Sequence, residues 1–246
     1  MMLEIGIEDY GMIIVRVSEE YGRVISQYLP FKSKVAVWKE EVYFETPIKR
    51  EEIKGNETLH VERGDLCFWR PGKALCLFYG VTQPYSPVIK LGEIIGPLYE
   101  LKDVRDGASL EVRPYRDPRR YEKLLRKLRV NGITAAVKIT DIESILVNYS
   151  INGIRIGIEV YIEDYGFPME SDALFKFDAN PYTLKVFKAL RDLVVSYKGV
   201  RIDLNEDNYV CISSFAKNED ELVNRIKEVS AAYFKAIREI NIVPGV

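Results

Sequence analysis

Two stretches decide the fold of this chain: WKEEVYF at residues 38–44 and GDLCFWRPGKAL at residues 64–75. Between them they hold both tryptophans, Trp38 and Trp69. Pro71-Gly72, set between two apolar runs, predicts the tip of a β-hairpin. That tip fixes a register of facing pairs: Trp69 with Ala74, Phe68 with Leu75, and Cys67 with Cys76.

Further short strands are predicted on both sides of these stretches. Residues 3–8 and 12–17 alternate in polarity, a short helix runs from Ser18 to near Leu29-Pro30, and a last strand covers residues 110–113. Short strands at close spacing, separated by Gly and Pro turns, are typical of a closed or nearly closed barrel. We therefore expect residues 1–115 to form an all-β barrel with one short helix.

The pattern changes in residues 116–246, which predict an α+β two-layer domain with an antiparallel sheet and the order α-β-β-β-α-β-β-α. Asn152-Gly153 predicts a type I′ hairpin, and the segment from residue 163 to Asn180 is expected to be a loop. Asn180 and Asn218 are expected to cap the last two helices. The hairpin register pairs Tyr149 with Ile156, Val147 with Ile158, and Ile145 with Val160.

Composition excludes several classes of protein. The net charge of −2 argues against an electrostatic nucleic-acid binder. No apolar run approaches the ~18–20 residues of a membrane span, and the amino terminus carries no secretory signal. We therefore expect a soluble, cytoplasmic protein. The presence of only two glutamines, Gln27 and Gln83, favours a thermophilic source.

Catalytic and cofactor motifs are also missing from the sequence. The single histidine, His60, lies in an alternating segment without a nucleophile nearby, so no triad is predicted. Three cysteines without close pairing give no zinc signature. The sequence contains no phosphate- or dinucleotide-binding glycine loop. We predict no catalytic residue, no metal and no cofactor.

A ligand-binding groove is the site that the aromatic residues indicate. Strand alternation sends Phe68 and Leu75 to one side of the sheet and Cys67 and Trp69 to the other. One side fills the barrel and the other is free to line a groove. For Trp38 and Trp69, core packing and groove lining both stay open. The candidate ligand-binding residues are Trp38, Glu41, Tyr43, Trp69, Arg70, Phe78, Thr82 and Gln83.

Cys67 and Cys76 form a separate candidate site. Directly opposed strand residues lie about 4.5–5.5 Å apart at Cα, which is within the range of a disulfide. The alternative is a pair of small buried thiols, which is the ordinary state in a cytoplasmic protein. The sequence leaves both states open.

Residues 1 to about 115 resemble the small prokaryotic cyclophilin-like domain family. The resemblance rests on the order strand, strand, helix, Leu29-Pro30, Trp38 and residues 41–44, followed by Gly64-Asp65, Trp69, residues 71–76, residues 78–80 and Thr82. It implies a cyclophilin-type barrel with a surface groove. The order of elements after residue 115 is similar to the type III secretion chaperone-like fold.

The resemblance leaves three functions open. Cyclophilins use an arginine on the strand that here covers residues 41–47, and no arginine stands in that segment. We therefore expect non-catalytic recognition of a small ligand, peptide or partner protein, with a possible homodimer. The alternatives are a peptidyl-prolyl isomerase without the usual arginine, and an assembly or chaperone-like interaction module.

Overall fold

The computed structural model describes residues 1–140 and 142–240. The chain divides into two compact units. The first comprises Met1–Asp117 together with Lys138–Thr140, and the second comprises Pro118–Val137 with the chain after residue 140. Each unit has its own apolar core.

The first unit is built from short antiparallel strands and one short helix, α1 (Glu19–Ile25), which a 3₁₀ turn extends to Tyr28. This helix lies where the sequence predicts it. The strands are β1 (Met2–Ile7), β2 (Gly11–Val17), β3 (Phe31–Lys34), β4 (Ala36–Trp38), β5 (Glu41–Glu45), β6 (Glu57–Thr58), β7 (Asp65–Trp69), β8 (Ala74–Phe78), β9 (Val88–Ile95) and β10 (Ser109–Pro114).

These strands form one sheet in the order β3-β10-β1-β2-β9-β7-β8-β5-β4, with β6 added against β9. Within the described residues, β3 and β4 are the two ends of this order and do not pair with each other. The sequence predicts a closed or nearly closed barrel, and among the described residues no ladder closes the sheet between β3 and β4. The reason is local: Val35 alone separates β3 from β4, so the chain passes from one end of the sheet to the other without room for a ladder.

Alternation along β5, β7 and β8 separates two apolar clusters. Phe44, Phe68 and Leu75 belong to the main core of the unit and are buried. Cys67, Cys76 and Phe78 belong to a second, smaller cluster on the other side of the same strands. The predicted hairpin register is confirmed: Trp69 pairs with Ala74, Phe68 with Leu75, and Cys67 with Cys76.

The second unit combines an antiparallel sheet with three helices. Its helices are α2 (Glu122–Val130), α3 (Pro181–Val194) and α4 (Glu219–Ile240). Its strands are β11 (Thr134–Ile139), β12 (Glu143–Ile151), β13 (Ile154–Tyr161), β14 (Phe167–Ser171), β15 (Phe175–Lys176), β16 (Val200–Leu204) and β17 (Tyr209–Ala216). None of the helices in residues 1–140 and 142–240 is both long and apolar enough to cross a bilayer.

The segment expected to be a loop contains two strands, β14 and β15. The order β11-β12-β13-β14-β17 places β14 at the centre of the sheet. Pro168 obscures this strand in the sequence, because proline has no N–H to donate to a neighbouring strand and is therefore uncommon in central strands. In the structure, β13 pairs only with Met169–Ser171, so Pro168 lies beyond that ladder.

Local signals elsewhere in the second unit are confirmed. The β12–β13 hairpin has the predicted register, and Asn152 and Gly153 both have positive φ, as a type I′ turn requires. The Asn180 side chain accepts hydrogen bonds from the backbone N–H groups of Tyr182 and Thr183. The Asn218 side chain caps α4 in the same way.

Candidate functional site

A cavity of about 270 Å³ opens in the first unit beside β4, β5 and β7. Strand residues and one loop line it together. Four aromatic rings and one carboxyl group line most of it. The remaining lining residues belong to a loop bounded by two prolines and to the start of β9. The lining residues are Trp38, Glu41, Tyr43, Trp69, Pro84, Tyr85, Ser86 and Val88.

Trp69 is held in a fixed orientation at the end of β7. Its indole Nε1–H donates a hydrogen bond of 2.7 Å to the Ser86 hydroxyl. Its ring lies edge-on to Tyr43, with 6.5 Å between ring centroids and 86° between planes. The six-membered part of the indole also covers Gly72, where a Cβ atom would lie 2.3 Å from the ring. The glycine of the hairpin tip is therefore needed for this placement.

A second perpendicular pair forms another part of the wall. Trp38 and Tyr85 meet edge-to-face, with centroids 6.4 Å apart and planes at 85°. Tyr85 is 89% exposed, so its ring lies at the mouth of the cavity. The Lys39 ammonium, which does not line the cavity, lies 4.4 Å from the centroid of the Trp38 ring.

Glu41 supplies the carboxyl group of the cavity. It begins β5, and its side chain is held in a largely apolar setting where the residue is only 7% exposed. Burial raises the pKa of Glu41 above its ordinary value, and a hydrogen bond from the Cys76 thiol partly opposes that rise. An acid in this setting interacts strongly with any charge that enters, because little water screens it.

Four of the eight predicted ligand-binding residues line the cavity: Trp38, Glu41, Tyr43 and Trp69. The other four do not. Arg70 instead donates two hydrogen bonds to the Ile53 carbonyl and pairs with Glu57 at 2.9 Å, so its guanidinium ties down the chain before β6. Phe78 is fully buried in the smaller apolar cluster beneath.

Thr82 and Gln83 also have structural partners rather than a place in the cavity. The Thr82 hydroxyl accepts a hydrogen bond from the Glu40 backbone N–H. The Gln83 side chain accepts from the Val61 N–H and donates to the Val61 carbonyl, at 3.0 and 3.1 Å. Both side chains therefore fix the loop that carries the lining residues.

Sequence reasoning missed that loop, which contributes Pro84, Tyr85 and Ser86, and the neighbouring Val88. A signal was present: Pro84-Tyr85-Ser86-Pro87 sets one aromatic residue between two prolines. Prolines restrict the backbone of a loop, and large amphipathic rings are common at binding surfaces. The contact with Ser86 depends on tertiary structure and has no sequence signal of its own.

Cys67 and Cys76 face each other as predicted, and both are free, buried thiols. The disulfide alternative is not realised in this structure. The Cys76 thiol is instead hydrogen-bonded to the Glu41 carboxyl. Burial raises the pKa of both thiols, so they are neutral groups beneath the cavity and not nucleophiles.

The cavity lining consists mainly of aromatic rings, with one carboxyl group and one serine hydroxyl. Among its lining residues, all of which the structure describes, none is a cysteine, histidine, lysine or arginine. Within residues 1–140 and 142–240, no group of metal-ligating side chains comes together in the chain. Rings and one buried acid provide shape, dispersion contact and negative charge.

Comparison with known proteins addresses the first unit. A family model described as Cyclophilin-like matches residues 1–113. Among solved structures, the solution structure of a hypothetical protein from Archaeoglobus fulgidus is 34% identical. That match covers 47% of this chain and 95% of the archaeal chain, with a TM-score of 0.40. Residues 1–113, which make up nearly all of the first unit, belong to the cyclophilin-like family.

Membership in the cyclophilin-like family confirms the resemblance drawn from the motifs between Leu29-Pro30 and Thr82. No curated protein matches the chain significantly. The relative from Archaeoglobus fulgidus is itself described as hypothetical. The family therefore establishes the fold of the first unit and leaves its ligand to be argued from the cavity.

Proposed function

We propose that the cyclophilin-like unit is a binding module that takes a small ligand into the aromatic cavity. The observation that carries this proposal is the joint placement of Trp38, Tyr43, Trp69 and Tyr85 around one opening. Large rings that remain partly accessible provide dispersion contact and apolar area at low entropic cost. Concave, mostly apolar sites with a few polar groups are the usual form of small-molecule sites.

Binding is favoured over prolyl isomerisation by the chemistry of the same cavity. The isomerase reaction needs a donor that stabilises the twisted amide. The described cavity residues include no guanidinium, and Arg70, the nearest candidate in sequence, is bound to Ile53 and Glu57. We therefore propose recognition without catalysis.

The test uses the two tryptophans, because both line the cavity and the chain has no others. Their two indole N–H resonances report directly on occupancy in a ¹H–¹⁵N correlation spectrum. We expect a small neutral probe, 3,3-dimethylbutan-1-ol, to shift both resonances in a saturable way. Ser86→Leu places a larger side chain in the cavity. Because less space remains for the probe, we expect this substitution to lower the affinity for the probe by about tenfold.

Val81→Leu is the matched control, since Val81 lies on the same loop, is 77% exposed and lies outside the cavity. It is expected to leave probe binding unchanged. Indole resonances that stay fixed at saturating probe, or that shift equally in the Ser86→Leu protein, would contradict a binding role for this cavity.

A further inference from the structure

The arrangement of rings around the cavity carries information about charge. Aromatic faces are negative and their edges positive, so ring faces attract cations. The two pairs in the wall, Trp38 with Tyr85 and Tyr43 with Trp69, are each nearly perpendicular, at 85° and 86°. Perpendicular rings around one opening present walls in different directions, as in the aromatic cages that hold quaternary ammonium groups.

The Trp38 ring already attracts a cation in this structure. The Lys39 ammonium lies 4.4 Å from its centroid, inside the ~6 Å range of a cation–π contact. Because Lys39 is not among the residues that line the cavity, its amine does not fill the opening. The contact shows that this ring interacts favourably with positive charge, with the ammonium over one of its faces.

The charge of the residues that line the cavity also favours a cation as the ligand. Glu41 is the acid among its described residues, and none of them is a lysine, arginine or histidine. With only 7% of Glu41 exposed, its charge is weakly screened by water. A cation that enters meets one carboxylate and the faces of aromatic rings, whereas an anion meets like charge.

Hydrogen-bonding capacity distinguishes an alkylated cation from a bare ammonium. A primary ammonium brings three N–H donors that each need an acceptor. In the cavity, the Ser86 hydroxyl accepts from Trp69 at 2.7 Å and the Glu41 carboxyl accepts from Cys76, so part of the acceptor capacity of each is already used. Alkyl groups in place of N–H remove that demand and contact the rings directly.

Size limits the ligand further. The cavity, at about 270 Å³, lies just below the ~300–1,000 Å³ of sites for drug-sized molecules. It is far larger than the roughly 30 Å³ that one water occupies in the liquid. The volume is suited to a compact head group.

We propose that the cavity selects a small alkylated ammonium cation, which the four rings surround and the Glu41 carboxylate neutralises. This inference rests on the proposed binding function and names the class of its ligand. Choline and 3,3-dimethylbutan-1-ol test it as a matched pair, because they have nearly the same shape and differ in the charged nitrogen.

Isothermal titration of the full-length protein compares the two probes. We expect choline to bind about tenfold more tightly than the neutral alcohol. Glu41→Gln is expected to lower choline affinity by about tenfold and to change affinity for the alcohol by less than about twofold. Glu45→Gln, an exposed acid on the same strand, makes the same charge change and is expected to leave both affinities unaltered.

A substitution at an exposed residue tests the same inference without disturbing the folded core. Tyr85 is 89% exposed, so Tyr85→Leu removes a ring without opening the core. We expect Tyr85→Leu to lower the affinity for choline by about threefold or more. Tyr182 is an exposed tyrosine of the second unit, and we expect Tyr182→Leu to leave the affinity unchanged.

The outcomes separate the two proposals. If the alcohol binds and choline binds no better, the cation inference is overturned and the binding function stands. Choline binding that ignores both Glu41→Gln and Tyr85→Leu also overturns the inference, since the cation would then bind elsewhere. If neither probe shifts the indole resonances, both proposals fail.

Discussion

Glu41 is the buried acid of the cavity, and its protonation state is expected to control the binding of a cation. Its raised pKa follows mainly from burial. The unfolded chain binds a proton less strongly at this position, so ionisation costs the folded state stability as pH rises from the ordinary value of 4.5 toward the raised value. A bound cation reverses part of that cost, because it favours the carboxylate over the neutral acid.

Choline affinity is therefore expected to depend on pH with a defined sign. Binding is weak below the raised pKa of Glu41, strengthens as pH rises through it, and levels off above it. Calorimetry at a series of pH values, with proton release measured in two buffers, checks this. The ionisable or charged side chains on the strands, turn and loop around Glu41 are Lys39, Glu40, Tyr43, Glu45, Asp65, Cys67, Cys76, Tyr79 and Tyr85.

The Glu41→Gln protein is the control for that titration. If Glu41 is the titrating group, its replacement flattens the affinity profile and lowers affinity at neutral pH. Cys67 and Cys76 do not contribute in this range, because burial keeps their thiols protonated. A profile that keeps its shape in Glu41→Gln would assign the proton to another group.

At the scale of elements, the β12–β13 hairpin shows how a short signal sets a long register. Gly153 has φ of +81°, a conformation that glycine adopts without strain. Gly153→Ala is expected to lower the free energy of unfolding by about 1–2 kcal/mol, because L residues are strained there, although the added Cβ meets open space. Urea unfolding monitored by circular dichroism measures it.

Ser150→Ala is the matched substitution in the same hairpin. Ser150 is exposed and has no left-handed conformation, so its replacement is expected to change the free energy of unfolding by less than about 0.5 kcal/mol. Equal effects of the two substitutions would show that the turn conformation is not what stabilises the hairpin.

Elements with local signals could be predicted from sequence, and those defined by distant partners could not. The Pro71-Gly72 and Asn152-Gly153 hairpins, with their registers, follow from turn chemistry and alternation. Strand β14 does not, because its partner β17 lies about 40 residues further along the chain and Pro168 weakens its local pattern.

The candidate site divides in the same way. Trp38, Glu41, Tyr43 and Trp69 lie on strands expected from the sequence and line the cavity, and their role in binding a ligand stays a prediction. Arg70 is polar and close in sequence, but its direction is set by the Ile53 carbonyl and Glu57. Side-chain direction in a loop depends on partners that the local pattern does not contain.

For the whole molecule, the first unit contains everything that its core and cavity need. The buried residues of its main core lie between Leu3 and Val112, and the cavity residues lie between Trp38 and Val88. A domain of this size buries most of the apolar surface that its unfolded chain exposes. The family match covers the same part of the chain, residues 1–113.

A fragment of residues 1–117 is therefore expected to fold and to keep the cavity. In a ¹H–¹⁵N spectrum its two indole resonances should lie where they do in the full-length protein, and the fragment should unfold in one cooperative thermal transition. Phe44→Ala in the fragment provides the destabilised reference, because truncating a fully buried phenylalanine costs about 3–5 kcal/mol. A fragment that resembles this variant, with indole resonances at random-coil positions, would show that the unit needs the rest of the chain to fold.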